Sequence, residues 1–255
     1  MLTLVCASQV LPAHFERATL LGRCLRQFPK PLRPRLYLQA GNRGPHCRGL
    51  PEIYNEAIDT LLNGAAAADS ATDEENGEIV AFVHDDLFVH DWFLRIRLQE
   101  ALRRFDLVGL AGEGQASADQ GNWYFDRGSD GRWQWARRRP SGFLNHWDPT
   151  LVEPSVYGPT PRRCMVLDGV LLAARLAVLR RSGLRFDPQF RFHAYDIDVC
   201  RSALALGLTL GTWPIACTHG SGGNHDSLWE QEVGRYQAKW RDRPWPEPPP
   251  DDLTA

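Results

Sequence analysis

The order of apolar and polar residues in the first half of the chain predicts strands and helices in alternation. Four short apolar runs have the length of strands: residues 2–6, 36–38, 79–83 and 107–111. Three segments between them carry apolar residues at helical spacing: residues 18–28, 50–61 and 94–105. This order predicts an α/β fold in which a mostly parallel central sheet has helices on both faces.

The pattern changes at Gly112. Residues 112–163 hold four of the nine tryptophans and show little helical periodicity, which predicts hairpins or an excursion from the sheet. The remaining segments predict a smaller mixed part: helices at residues 173–181, at 196–206 and from a Ser227–Glu230 capping box to Pro244, with a strand at 209–218.

Composition narrows the classes of function. The chain has 255 residues, of which 43% are hydrophobic and 24% charged, as in ordinary globular proteins. A net charge of −2 gives no electrostatic reason to expect nucleic acid or an anionic membrane as the main partner. No apolar run approaches the roughly 20 residues of a membrane-spanning helix, and the start of the chain lacks the features of a signal peptide. The six cysteines show no C-x-x-C pairing, so we expect reduced thiols in a cytoplasmic protein.

The apolar run at residues 79–83 leads directly into His84, Asp85 and Asp86. Consecutive apolar residues are typical of a strand covered on both faces, and the carboxyl ends of such strands open onto the ligand crevice of α/β sheets. Carboxylate oxygens at this place suit a divalent cation that is held against phosphate. The alternative is structural: the two Asp residues start a turn, and Asp91 caps the next helix.

Two later segments carry residues of the same kind. Asp196 and Asp198 stand two apart at a predicted helix start, and His219 ends a predicted strand before the Gly-rich residues 220–223. The two Asp residues also suit a helix N-terminus for structural reasons alone, as a cap and as a partner of the helix dipole. His219 can equally be a structural histidine, and the glycines either cradle phosphate or form a hinge.

Together these segments resemble the nucleotide-sugar-dependent glycosyltransferases of the GT-A fold, close to the family-2-like group. The resemblance covers roughly residues 2–225 and depends on the order and spacing of several motifs rather than on one of them. The motifs are Tyr54-Asn55-Glu56-Ala57-Ile58, Phe82-Val83-His84-Asp85-Asp86, Leu167-Asp168-Gly169, Tyr195-Asp196-Ile197-Asp198 with Gly207 after it, and His219.

The resemblance implies a GT-A (Rossmann-like) fold and a single domain at residues 1–243. Residues 1–113 would form its nucleotide-binding half and residues 114–243 its acceptor-binding half. Residues 244–255, rich in Pro and Asp, are expected to be a disordered tail.

The donor side of the site follows from the same resemblance. Asp86 would bind Mn2+ or Mg2+, and His219 would complete the metal shell. His84 and Asp85 would lie near the ribose and the diphosphate, although the family usually has Asp at the position of His84. A shell of oxygen and imidazole ligands favours Mn2+ over Mg2+. The remaining donor contacts would come from two residues at the base pocket and one near the nucleotide: Ser8, Asn42 and Asn55.

The acceptor side is expected to contain the catalytic base. Asp196 matches the position of the inverting base, and Tyr195 replaces the Glu that usually precedes it. Asp168 is expected to face the acceptor or the sugar, unless it only forms a turn at the core. Most of the tryptophans are expected in the core, and four residues are candidates for acceptor contact: Asp168, Trp123, Trp147 and Asp198.

The resemblance therefore implies a metal-dependent enzyme that moves a sugar from a nucleoside-diphosphate sugar, with UDP-sugar favoured, to a hydroxyl of a carbohydrate or another acceptor with inversion. The departures at His84 and Tyr195 keep a second hypothesis open, a GT-A-like protein that binds UDP or UDP-sugar with weakened catalysis. A third hypothesis is a metal-dependent hydrolase of sugar nucleotides.

Overall fold

A computed structural model describes residues 1–65, 77–136, 138–148, 151–222, 225–248 and 250, with the backbone alone at 65, 147, 148 and 151–153. The helices are α1 (Pro12–Ala18), α2 (Leu20–Gln27), α3 (Leu50–Ala65), α4 (Leu94–Ala101), α5 (Leu176–Ser182), α6 (Tyr195–Ala205) and α7 (Ser227–Trp240), and a short 3-10 turn spans Lys30–Leu32. The strands are β1 (Leu2–Ala7), β2 (Arg35–Gln39), β3 (Ile79–Val83), β4 (Leu87–Val89), β5 (Leu107–Gly109), β6 (Ala111–Glu113), β7 (Phe125–Arg127), β8 (Trp133–Trp135), β9 (Pro140–Asp148), β10 (Leu151–Gly158), β11 (Arg162–Cys164), β12 (Val166–Leu167), β13 (Leu171–Arg175), β14 (Leu210–Thr212) and β15 (Cys217–His219).

The largest sheet has seven strands in the order β11-β14-β5-β13-β3-β1-β2. β1 pairs in parallel with β2 and β3, and β14 pairs in parallel with β5. β13 is inserted antiparallel between β3 and β5, and β11 lies antiparallel to β14 at the edge. Strands β2, β1, β3, β5 and β14 thus point in one direction, and β13 and β11 run against them, so the sheet that was expected to be mostly parallel is mixed.

Successive residues of the central strands alternate between two hydrophobic cores, one on each face of this sheet. Val80 and Phe82 belong to the core that includes α3, α5, α6 and α7, whereas Ile79, Ala81 and Val83 belong to the core that includes α1, α2 and α4. Every residue of β3 is at most 1% exposed. Burial on both faces is the physical reason for the unbroken apolar run at residues 79–83.

A second sheet lies beside the first, with six strands in the order β12-β6-β9-β15-β4 and β10 paired to β9. β7 and β8 form a separate two-stranded hairpin. Most of this second sheet and the hairpin come from residues 112–163, so the excursion that the sequence predicts for this region is confirmed.

Three predicted segments are divided by tertiary pairing. The predicted strand at 107–111 is interrupted at Leu110, because β5 belongs to the large sheet and β6 to the second sheet. The predicted strand at 209–218 is likewise two strands, β14 and β15, in different sheets. The helix predicted at 173–181 begins only at Leu176, since the preceding residues form β13 between β3 and β5.

Two predicted helix caps lie at other residues. The cap of α7 is Asp226, which accepts hydrogen bonds from the backbone N–H groups of Leu228 and Trp229, and not Ser227. The N-cap position of α4 is Phe93, while Asp91 accepts a hydrogen bond from the Phe93 N–H just before the helix. Both Asp side chains act locally on the backbone, but the cap of α7 lies one residue before Ser227 and the N-cap position of α4 lies two residues after Asp91.

Ordered packing continues into the expected tail. Trp245 donates from Nε1 to the Ser117 carbonyl at 2.9 Å, and its ring lies 4.4 Å from the Arg201 guanidinium. Residues 249 and 251–255 of that tail, and residues 66–76 of the acidic segment before β3, lie outside the described residues. Among the described helices, none has the length and apolar character needed to cross a membrane.

Candidate functional site

The candidate site is built where β1, β3 and β15 end. β1 and β3 are parallel neighbours, so Ser8 after β1 and His84 after β3 reach the same edge of the large sheet. In the second sheet, β15 pairs antiparallel with β4, and His219 lies opposite Leu87. This register places His219 beside Asp86, the residue that precedes Leu87. Two segments more than 130 residues apart are therefore joined by strand pairing alone.

His84, Asp86 and His219 form a cluster in which one possible ligand atom from each residue lies within 4.8 Å of the others. His219 Nε2 is 3.3 Å from Asp86 Oδ1, and His84 Nδ1 is 4.0 Å from the same oxygen. Two atoms bound to one ion at about 2.1 Å lie between about 3 and 4.2 Å apart, so both measured distances fit a shared cation. The structure thus brings the predicted ligands Asp86 and His219 together and adds His84, which the sequence assigned to the ribose and diphosphate.

Tyr195 sets the orientation of the His84 ring. The Tyr195 hydroxyl lies 3.1 Å from the Gly169 carbonyl and 2.8 Å from His84 Nε2. A phenol has one proton and a carbonyl has none, so Tyr195 donates to Gly169 and accepts from His84 Nε2–H. The lone pair of His84 is then on Nδ1, on the side of Asp86. A second hydrogen bond of this kind fixes the tautomer in many metal-binding histidines.

Burial and mutual attraction set the charges of the cluster. Burial by itself would raise the pKa of Asp86, but the hydrogen bond and charge of His219 hold this pKa well below its usual range. Burial by itself would lower the pKa of His219, and Asp86 raises it instead. Burial lowers the pKa of His84, so its ring is neutral and Nδ1 can act as a ligand.

A cavity of about 310 Å3 extends from His84 and Asp86 toward the end of β1. Ser8, Asn42 and Asp85, which were assigned to the nucleotide from the sequence, line it together. Ser8 Oγ donates to Asp85 Oδ2 at 2.5 Å, while burial raises the pKa of Asp85. Asn42 uses its amide to hold the backbone of Arg48 at 2.8 and 2.9 Å, so it shapes the wall of the cavity.

Asn55, also expected near the nucleotide, has a different place. Its amide donates to the Phe186 carbonyl at 2.7 Å and accepts from the Phe186 N–H at 3.0 Å. It does not line the 310 Å3 cavity. The structure therefore gives Asn55 a structural role, joining α3 to the segment before α6.

A second cavity, of about 570 Å3, also borders the cluster, and His84 and His219 line it together with Asp168 and Asp196. Asp196 accepts hydrogen bonds from the N–H groups of Gly169 and Ile197 at 3.3 and 2.9 Å. Burial and the nearby charge of Asp168 raise the pKa of Asp196 to about 7. The N-cap position of α6 belongs to Ala194, so Asp196 is not the helix cap that the structural alternative required.

Asp168 and Trp123 belong to this second cavity as a pair. Trp123 donates from Nε1 to Asp168 Oδ2 at 2.7 Å, and Asp168 Oδ1 accepts from the Val170 N–H at 2.8 Å. Trp123 is only 4% exposed, so it supports Asp168 more than it offers an open ring face. The side chain of Trp147, the other predicted tryptophan, lies outside the described residues.

Asp198, also predicted at the acceptor, lies elsewhere. It is 1% exposed and lines neither cavity. It accepts a hydrogen bond from Trp240 Nε1 at 2.7 Å and pairs with the Lys239 ammonium at 2.8 Å. On α6, residues two apart point in different directions, so Asp196 reaches the cavity while Asp198 faces α7.

Sequence patterns did not single out several residues that line the 570 Å3 cavity. Trp135 is 54% exposed and its ring stacks on Tyr124 with 4.6 Å between centroids, so it is an open aromatic face rather than a core residue. His225 Nε2 lies 3.2 Å from the Tyr124 hydroxyl. The tryptophan-rich composition of residues 112–163 was the available signal for Trp135, but nothing in the sequence links this region to His225.

Glu232 supports the segment that leads into α6. Its carboxylate is fully buried and accepts hydrogen bonds from the backbone N–H groups of Arg191, Phe192 and His193 at 2.7 to 3.1 Å. Ala194 follows with a positive φ of 55°, a conformation that is unfavourable for a residue with a Cβ. The buried carboxylate thus holds a strained turn directly before Tyr195 and Asp196.

The glycine loop after His219 contributes through its backbone. The Gly220 N–H donates to the Asp86 carbonyl at 2.8 Å. This amide therefore fixes the His84-Asp85-Asp86 segment and is not available to phosphate. Gly222 lines the 570 Å3 cavity, and Gly223 lies outside the described residues.

No protein-family model and no curated protein matches this chain. Among solved structures it is similar to A197 from STIV, with 12% identity, a TM-score of 0.45, and coverage of 87% of this chain and 86% of that chain. It is also similar to GalNAc-T7, solved with UDP, GalNAc and Mn2+, with 13% identity and a TM-score of 0.45. That match covers 95% of this chain and 48% of the GalNAc-T7 chain, so this chain spans about half its length. At this level of similarity, the function has to be inferred from the residues of the site.

Proposed function

We propose that the protein is a metal-dependent glycosyltransferase that uses a nucleoside-diphosphate sugar, with UDP-sugar favoured, and transfers the sugar to a hydroxyl with inversion. One observation carries the proposal. The His84, Asp86 and His219 cluster stands between two cavities, a polar one next to Ser8 and Asp85 and an aromatic one that contains Asp196. Transfer between a nucleotide-linked donor and a separate acceptor needs this arrangement of two sites around one reacting centre.

The donor is assigned to the cavity of about 310 Å3. Ser8, Asn42 and Asp85 offer the hydrogen-bonding groups that a nucleoside can use, and Asp85 and Asp86 follow one another at its inner end. Two carboxylates alone would repel a diphosphate, so this site needs a cation between them and the phosphate oxygens.

The residues of the cluster fit such a cation. Two imidazoles and one carboxylate are a donor set that favours a transition metal, and we assign Mn2+ rather than Mg2+. When bound, the ion supplies Lewis-acid stabilisation of the charge that develops on the leaving diphosphate. His84, held by Tyr195, and His219, held by Asp86, keep their ring orientations without the ion.

Asp196 is the proposed base. Its carboxylate opens onto the acceptor cavity, and a pKa of about 7 allows it to accept the proton of an attacking hydroxyl near neutral pH. The N–H groups of Gly169 and Ile197 fix the carboxylate, and Asp168 stands close enough to raise its basicity. Asp196 lines the cavity assigned to the acceptor and not the one assigned to the donor, which agrees with direct displacement and hence with inversion.

The weakened binding protein remains the second candidate, because His84 and Tyr195 both depart from the family pattern. One contact bears on this choice: the two residues are hydrogen-bonded to each other, with 2.8 Å between His84 Nε2 and the Tyr195 hydroxyl. An imidazole at position 84 needs a partner for its second nitrogen, and Tyr195 is that partner. Two matched replacements favour a working metal ligand over independent losses.

The test begins with titration calorimetry of UDP in the presence and absence of Mn2+. We expect UDP binding that requires Mn2+ in the wild-type chain and is lost in Asp86→Asn. Asp119→Asn, at an exposed Asp that lines neither cavity, is the matched control and should bind as the wild type does. UDP binding that is equal with and without Mn2+ would contradict the proposal.

A second measurement separates the two candidates. UDP release from UDP-sugars is followed with and without pools of hydroxyl-bearing acceptors, carbohydrates among them. Acceptor-stimulated release supports the transferase, and tight binding without any release supports the weakened binding protein. Release at a rate that acceptors do not change would indicate a hydrolase.

A further inference from the structure

An apolar depression lies far from both cavities of the site. It has a volume of about 660 Å3 and is formed by the start of β1, the 3-10 turn Lys30–Leu32, the start of β2 and the start of α4. We refer to its exposed apolar residues and its arginines together as the basic apolar patch. Its apolar members are Met1, Leu32, Trp92, Phe93 and Ile96.

These five side chains are unusually exposed. Their exposed fractions run from 38% at Leu32 to 53% at Phe93, with Trp92 at 50%. Among the described residues, nine large hydrophobic side chains are exposed, and five of them meet in this one depression. Single exposed apolar residues need no explanation, but a contiguous group of this size marks a surface for binding.

The polar rim of the patch is basic. Arg33, Arg35 and Arg95 line the depression, and no Asp or Glu of the described chain does. None of these arginines takes part in an ion pair between described residues, whereas the neighbouring Arg97 is paired with Asp91 and Glu100. The patch therefore presents uncompensated positive charge around exposed aromatic rings, in a chain whose net charge is −2.

We propose that the basic apolar patch docks the protein on the surface of a membrane that contains anionic phospholipids. Trp and Phe rings are favoured at the level of the lipid headgroups, and Ile, Leu and Met side chains can enter the acyl boundary. Arg33, Arg35 and Arg95 are placed to meet lipid phosphates, and each basic residue near an anionic surface strengthens binding about fivefold.

Charge disfavours a second copy of this chain as the occupant. A two-fold dimer through the patch would place the same surface against itself. The arginines of one copy would then face those of the other, with no carboxylate from the patch between them. An anionic surface matches both the apolar and the charged residues.

The patch and the catalytic opening lie at opposite ends of β1. Leu2 begins the strand beside the depression, and Ser8 follows its end in the donor cavity. Six strand residues span roughly 20 Å. A docked protein would thus keep its donor cavity away from the lipid surface. The proposal does not depend on the assigned transferase activity.

Co-sedimentation of the full chain with vesicles tests this proposal. The probe vesicles contain phosphatidylcholine with about one-third phosphatidylglycerol, and pure phosphatidylcholine serves as the neutral comparison. We expect binding to the anionic vesicles that weakens with added salt. Trp92→Ser with Phe93→Ser should weaken it at least about tenfold, and Arg33→Gln with Arg95→Gln should weaken it about 25-fold.

Matched controls use residues outside the patch. Leu206→Ser changes an apolar side chain that is 51% exposed, and Arg241→Gln removes an exposed positive charge after α7. Both should bind vesicles as the wild type does, and circular dichroism should show that all variants are folded.

Several results would overturn the docking proposal. These are no preference for anionic over neutral vesicles, or equal loss of binding in the control variants. A concentration-dependent dimer in sedimentation velocity that the Trp92 and Phe93 changes abolish would assign the patch to a second copy instead. Tighter binding to a single-stranded oligonucleotide than to the vesicles would assign it to nucleic acid.

Discussion

The proposed metal site and the cavity of about 570 Å3 each contain a carboxylate that the sequence singles out, and the surroundings of the two carboxylates shift their pKa values in opposite directions. Asp86 lies 3.3 Å from a histidine nitrogen, and its pKa is held well below the usual range. Asp196 lies near a second carboxylate, Asp168, in a largely buried place, and its pKa is raised to about 7. Asp86 is thus kept charged, as the proposed ligand role requires, whereas Asp196 is able to exchange a proton near neutral pH.

This difference shows that the role of an Asp comes from its neighbours and not from its own chemistry. His219 reaches Asp86 through the pairing of β15 with β4, and Asp168 reaches Asp196 through the turn between β12 and β13. Both neighbours are distant in sequence from the residue they act on. Each prediction below removes one part of this contrast.

The largest effect is expected for Asp86→Asn, because this change should weaken metal binding, UDP binding and transfer together. The amide keeps the shape of the side chain but removes the negative charge between the two imidazoles, so affinity for Mn2+ should fall by about 100-fold or more. Electron paramagnetic resonance of free Mn2+ measures this loss directly. Asp119→Asn should leave Mn2+ binding unchanged, and an unaltered affinity in Asp86→Asn would show that the cluster is not the metal site.

The second largest effect is expected for Asp196→Asn. Loss of a general base lowers the rate of transfer by about 100-fold to 10,000-fold, while binding of Mn2+ and UDP stays as in the wild type. The measurement is acceptor-dependent UDP release together with calorimetry of UDP. If UDP affinity fell as much as the rate did, Asp196 would belong to the donor site.

The rate of the wild-type enzyme should also rise as the pH passes through about 7, because Asp196 must lose its proton to act as a base. Burial and the nearby charge of Asp168 are the two causes that raise the pKa of Asp196. Asp168→Asn should therefore move the midpoint of the profile to lower pH. A midpoint that does not move would mean that another group limits the rate.

A smaller effect is expected for Tyr195→Phe. Without the hydroxyl, His84 Nε2 loses its partner and the ring loses its fixed tautomer, so Mn2+ affinity should fall about 10-fold to 100-fold. Tyr37→Phe, which removes a hydroxyl bonded to Glu56 outside the site, is the control. Equal Mn2+ affinity in Tyr195→Phe would exclude His84 as a ligand that depends on Tyr195.

The smallest effect concerns stability, and its sign opposes the effect on activity. The pKa of Asp196 is higher in the folded state than in the unfolded state. Ionisation of Asp196 therefore destabilises the folded state as the pH rises above about 4, and this loss of stability is complete above about 7. Asp196→Asn should increase the free energy of unfolding by about 1–3 kcal/mol at pH 8.5, less than the full shift implies because the side chain is partly exposed. Urea unfolding at pH 8.5 and pH 4.5 checks this, since the gain should shrink at the lower pH. A difference in stability between wild type and variant that is the same at both pH values would contradict the raised pKa.

The sequence located the parts of the site well where a motif sits at the end of a strand. His84, Asp85 and Asp86 follow a strand that is buried on both faces. The apolar run at residues 79–83 predicted both this strand and the position where it ends. Predictions for side chains on helices were less reliable. Asn55 was expected to contact the nucleotide and Asp198 the acceptor. Both side chains instead form hydrogen bonds with other parts of the protein, because their orientation depends on how α3 and α6 pack.

The sequence by itself determined the alternation of strands and helices, the apolar central strand and the three segments that carry chemistry, since these depend on local periodicity and residue type. The tertiary structure decided that β13 enters the large sheet antiparallel, that His219 stands beside Asp86, and that His84 joins them with Tyr195 as its support. These contacts join residues far apart along the chain, and they depend on strand pairing and helix packing that no local pattern specifies. The same reason explains why the acidity of Asp86 and Asp196 differs, although the two residues are chemically identical.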